Sequence, residues 1–145
     1  MITPSPTTRI DPVLARGTLL ANVPATATKP AFLTFAVPNT NYELHLIPMT
    51  DVQTPVGKRL IGVIRAQARR IDVVQTGGQY IEPVLGRPPR VQGTVVRVEG
   101  GAVVVDAGVP IHCTPTDQRQ RPEDFSPGQF VSFDVMAGAT FTPAV

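Results

Sequence analysis

The chain has no tryptophan and only two tyrosines, Tyr42 and Tyr80. Aromatic residues make up 6% of it, so a surface that binds by stacking many bases is not expected. One cysteine, Cys113, excludes an internal disulfide. No apolar run approaches the ~20 residues that a membrane-spanning helix needs. The opening Met1-Ile2-Thr3-Pro4-Ser5-Pro6 has no basic cluster followed by an apolar core, so no signal peptide is expected and the expected location is the cytoplasm. Nucleophile elbows, phosphate loops and dinucleotide fingerprints are missing as well. No catalytic residue and no cofactor is therefore expected, and the chain is not read as an enzyme.

What is present points to β structure. Sixteen prolines and twelve glycines interrupt the 145 residues every few positions, and valine is frequent between them. Short strands separated by turns are the expectation. Hydrophobic content is 42% and charged content 17%, which suits a folded domain rather than a disordered one.

A repeat organises these strands. Gly17-Thr18-Leu19-Leu20 is answered by Gly93-Thr94-Val95-Val96, His45-Leu46-Ile47-Pro48 by His112-Cys113-Thr114-Pro115, and Pro55-Val56-Gly57 by Pro127-Gly128. The expected division is an extended arm over residues 1–12, a first unit over 13–75, a Gly/Pro/Arg linker over 76–90 and a second unit over 91–145. Strands are expected at 14–23, 31–37, 42–47 and 58–74, the last breaking near 66–70 because it exceeds the usual ~5–6 residues. In the second unit they are expected at 91–98, 102–107, 109–113, 129–136 and 139–142. Glu99-Gly100-Gly101 reads as a tight hairpin, and Arg121-Pro122-Glu123-Asp124-Phe125 as one helical turn with proline and acids at its start. Leu60, Gly62, Ile64, Val131, Phe133 and Val135 are the expected core positions.

Five strands with a helical turn after the third resemble the OB-fold, a small Greek-key barrel. The resemblance rests on Gly93-Thr94-Val95-Val96-Arg97-Val98, on Gly101-Ala102-Val103-Val104-Val105 and on Pro127-Gly128-Gln129-Phe130-Val131-Ser132-Phe133-Asp134-Val135. Such patterns recur in cold-shock-type RNA-binding barrels and in the tandem barrels that bind molybdate. The aromatic strand motif of the first family and the Ser-Ala-Arg-Asn opening of the second are both missing. The resemblance implies an all-β fold of two tandem five-stranded OB-like barrels related by internal duplication. It does not imply a function.

Charge supplies the main functional lead. Eight of the thirteen basic residues lie between Lys58 and Arg97, opposed there only by Asp72 and Glu82. Arg65, Gln67 and Arg69 alternate and would share a face on an extended chain. Arg65, Arg69, Arg70, Arg87 and Arg90 form the candidate nucleic-acid-binding set, and Tyr80 is the candidate stacking group. A solvated strand face beside a soluble linker has the same composition. A packing role for Tyr80, pinning the linker to a barrel, remains equally open. Homo-oligomers built through exposed barrel edges and terminal arms are a second expectation. A small oxyanion held between the barrels is a third. His45, His112 and Cys113 are too few and too far apart in sequence for a structural zinc site, so no metal is expected.

Overall fold

The computed structural model describes residues 11–75 and 77–144, apart from the side chain of Ala137. Most of the expected N-terminal arm, together with Thr76 and Val145, lies outside the described residues. The strands are β1 (Ala15–Val23), β2 (Phe32–Ala36), β3 (Glu43–Pro48), β4 (Arg59–Val73), β5 (Tyr80–Glu82), β6 (Leu85–Gly86), β7 (Arg90–Glu99), β8 (Ala102–Asp106), β9 (Pro110–Pro115) and β10 (Phe130–Pro143). A single 3-10 turn, Pro122–Asp124, is the helical element among the described residues. The fold is all-β, and the strands join in one ten-stranded mixed sheet.

Two strands carry the architecture. β4 runs for 15 residues and β10 for 14, antiparallel to each other along most of their length. Neither divides as the sequence suggests. Period-two burial continues through Leu60, Gly62, Ile64, Ala66 and Ala68, so the inward face of β4 has no polar interruption that would end it. The neighbours of the strand change instead. β1 covers Arg59–Gly62 and β9 covers Ile64–Ala68. β10 likewise passes from β7, paired at Phe130–Asp134, to β3, paired at Thr140 and Phe141. Its pairing with β4 slips between Met136 and Thr140, a bulge where two strands had been expected.

The pairings therefore run in two circuits. One passes from β1 to β2, β3, the end of β10, the start of β4 and back to β1. The other passes from β7 to β8, β9, the second half of β4, the first half of β10 and back to β7. In each, one link is parallel, β3 with β10 and β9 with β4. Leu19 donates to the Lys58 carbonyl and accepts from Gly57, while Val95 donates to the Gln129 carbonyl and accepts from Gly128.

The core is a single apolar cluster spanning both circuits. Phe35 and Phe141 meet at its first end with ring centroids 5.6 Å apart, and Val91, Val103, Ile111, Val131 and Phe133 fill the other. Of the six expected core positions five are buried, whereas Val135 is half-buried beside the register shift that follows Phe133. The hairpin at Gly100-Gly101 forms as expected, with both glycines at positive φ (59° and 76°).

The linker is not a free hinge. β5 pairs with β7 and β6 pairs with β3, so residues 80–86 bond to both circuits. Ile81 N–H donates to the Tyr42 hydroxyl (3.0 Å) and Glu43 N–H to the Val84 carbonyl (2.8 Å). Among the described strands only β5 and β6 have a neighbour on one side alone. The end of β1 (Ala21–Val23) pairs with β2 alone and the end of β7 (Arg97–Glu99) with β8 alone. No helix among the described residues is long and apolar enough to cross a membrane.

Candidate nucleic-acid interface

Along the middle of β4, Ile64, Ala66 and Ala68 turn inward and Arg65, Gln67 and Arg69 turn outward, as period-two geometry requires. Beyond Ala68 the alternation slips, leaving Arg69 and Arg70 both exposed. The outward side of β10 lies beside them. Three adjoining clefts follow this surface. The middle one holds Arg65 and Gln67 of β4 and Met136 and Thr140 of β10. It shares Met136 with a second cleft, lined by Arg69, Arg70, Arg90, Asp72, Ser132 and Asp134. It shares Ile47 and Gly138 with a third, lined by Lys29, Phe32, His45 and Arg87.

All five arginines singled out from the sequence, Arg65, Arg69, Arg70, Arg87 and Arg90, therefore line this groove of three adjoining clefts. Lys29 joins them. The carboxylates lining it are Asp72 and Asp134. Asp72 meets Arg70 at 3.1 Å and Asp134 meets Arg90 at 2.9 Å, both on the open surface. Exposed pairs of this kind hold weakly and can exchange for a phosphate. Arg65 donates to the Thr142 hydroxyl (3.2 Å), while Lys29, Arg69 and Arg87 have no ion pair among the described residues. Arg90 also donates to the Tyr80 hydroxyl (3.2 Å), and this contact, with Asp134 behind it, raises the pKa of the guanidinium and keeps it charged.

Tyr80 does not line the groove. It stands on β5 opposite Gln92, and its hydroxyl donates to the Gln92 side chain (3.4 Å) while accepting from Arg90. Gln92 in turn donates to the Gly78 carbonyl (2.9 Å), so this network fastens the linker to β7. Phe133 lines the second cleft but is buried, and the half-buried aromatic groups are Phe32 and His45 of the third, with ring centroids 4.7 Å apart at 31°. Sequence reasoning weighed His45 only as a metal ligand and passed over Phe32 and Lys29. Their only sequence signal is indirect: a β2–β3 hairpin sets Thr34 opposite His45 and so brings Phe32 near it.

The remaining candidates have structural partners. His112 is buried, with Nε2 2.8 Å from the Val13 carbonyl. Cys113 is fully buried beside it, and burial pushes its thiol pKa far up, which keeps it protonated and inert. Asp106 accepts from Gly108 N–H, Asp124 from Arg121 N–H and Asp117 from Arg119, all within local turns. Among the described residues no group of three or more His, Cys, Asp or Glu side chains is placed to hold a metal ion. Ser132 differs: its hydroxyl is buried and has no hydrogen-bond partner among the described residues.

No family model matches this chain, and no curated protein or solved structure matches it either.

Proposed function

We propose that the protein is a non-catalytic binding module that contacts nucleic acid along the β4/β10 groove, through phosphate attraction and with little base discrimination. One observation carries this reading: six cations, drawn from β4, β7, the linker and the β1–β2 loop, line three adjoining clefts against two carboxylates. A backbone that carries one charge per residue suits a row of guanidiniums better than a compact ligand does.

The fold reading that accompanies it is a pair of OB-like barrels derived by duplication, each completed by the other's last strand. The like order of the two circuits supports this, as do their matching parallel links and the matching bonds of Leu19 and Val95. On this reading β4 and β10 are long because each is the fourth strand of its own unit and the fifth of its neighbour. The outer side of the shared strands then forms a floor common to both barrels.

Sequence-independent binders of this kind have affinities on the order of 10⁻⁴–10⁻⁶ M at physiological salt, falling steeply as salt rises. Titration of a labelled single strand and a duplex at two salt concentrations tests the proposal. Binding that weakens with salt is expected. No binding at low salt, or binding indifferent to salt, overturns it.

A further inference from the structure

We infer that the cleft of Lys29, Phe32, His45 and Arg87 receives one unpaired nucleobase and its phosphate, so that the groove takes single strands in preference to duplex. The inference rests on the groove reading above and gives it a ligand class. The cleft has a volume of about 410 Å³, within the ~300–1,000 Å³ range of small-ligand pockets. Phe32 and His45 are both half-buried, which fixes the two rings while leaving part of each open to the cleft. Offset, tilted ring pairs of this separation are a stable platform for a third ring.

The charge above that platform has one sign. Lys29 and Arg87 line the cleft, no carboxylate does, and neither cation has an ion pair among the described residues. The loop bearing Lys29 is already formed. Thr26 N–H donates to the Lys29 carbonyl (2.9 Å), and Lys29 N–H donates to the Thr26 hydroxyl (3.1 Å). Arg87 directly follows β6, which is anchored to β3. An aromatic floor with two cations nearby matches a base joined to a phosphate, whereas a free inorganic anion makes no use of the rings.

The second circuit has no such place. At its corresponding rungs stand Ala102 and His112, and His112 is buried against the Val13 carbonyl. Stacking is therefore confined to one end of the groove. Duplex bases are already paired and stacked, so only a single strand can supply a base to it.

The test compares a thymidine 12-mer with an abasic 12-mer of the same backbone charge, on the wild-type protein and on Phe32→Leu. One stacked base gives the thymidine strand about 5- to 150-fold tighter binding than the abasic strand. Phe32→Leu is expected to erase that ratio. Should Phe32→Leu fail to melt cooperatively, His45→Gln provides the same readout. Equal binding of the two strands by the wild type, or a ratio that survives both substitutions, overturns the inference and leaves the groove reading standing. Failure of both strands to bind at low salt removes the groove reading and this inference together.

Discussion

Gln120 and Ile71 exchange two hydrogen bonds: Ile71 N–H donates to Gln120 Oε1 at 2.9 Å, and Gln120 Nε2 donates to the Ile71 carbonyl at 2.7 Å. The side-chain amide does here what a neighbouring strand does elsewhere. β9 ends at Pro115, Thr116 and Asp117 still donate to the Ala68 and Arg69 carbonyls, and Gln120 occupies the next place along β4. The outer half of β4 is thereby paired nearly to its end. Gln120→Ala is expected to cost about 1–3 kcal/mol, because it strands a backbone donor and acceptor together. Urea unfolding with an unchanged slope and a lower midpoint is the matching result.

Close backbone approach is the reason for glycine at position 93. A side-chain carbon there would meet the Asp106 carbonyl carbon at 2.7 Å, and that backbone has no room to give. At Gly17 the obstacles are the Ala36 carbonyl oxygen and, at 2.6 Å, the fully buried Phe35 ring. Gly93→Ala and Gly17→Ala are expected to destabilise by about 3 kcal/mol or more, the upper end of overpacking. Gly101→Ala sits in open space at φ 76° and is expected to cost about 1–2 kcal/mol. In thermal melts Gly101→Ala should unfold at a higher temperature than either of the other two.

The buried Ser132 hydroxyl has no partner among the described residues, so its removal relieves a desolvated polar group. Ser132→Ala is expected to stabilise by about 1 kcal/mol, or about 2–4 °C in Tm. A fall in Tm would mean that an ordered water satisfies the hydroxyl.

Asp117 has its pKa lowered to about 2, first by the Arg119 side chain and then by the Arg119 backbone N–H. A carboxylate whose folded pKa lies below its unfolded value adds stability above the unfolded value of ~3.9 and loses it as pH falls toward the folded one. The contribution of Asp117 is thus intact at neutral pH and disappears between about pH 4 and pH 2. In Arg119→Ala the Asp117 carboxylate is expected to titrate closer to the ordinary range, which carbon-detected NMR reads directly.

Local physics made much of the β structure legible. Alternation located the strands, Gly100-Gly101 marked its hairpin, and Pro122 with Glu123 and Asp124 marked the turn that became the 3-10 element. Arg65, Gln67 and Arg69 share a face because the chain stays extended there. The continuity of β4 and β10 was not legible. Strand length alone argued for a break, and the partners that keep each strand whole come from distant sequence. The third cleft was hidden for the same reason. Lys29, Phe32, His45 and Arg87 meet only after β2, β3 and the linker have paired, and no local pattern encodes that meeting. Tyr80 was legible as a packing or a stacking residue, and its two hydroxyl contacts place it in the linker network.

The most direct test of the groove is the salt slope of single-strand binding. Each phosphate neutralised on a single strand contributes about −0.7 to the slope of log K against log[salt]. The combined variant Arg65→Ala, Arg69→Ala, Arg87→Ala removes one cation from each cleft, so the slope should flatten by about 2 relative to wild type. An unchanged slope in that variant, or a wild-type protein that binds no strand at low salt, would contradict the account.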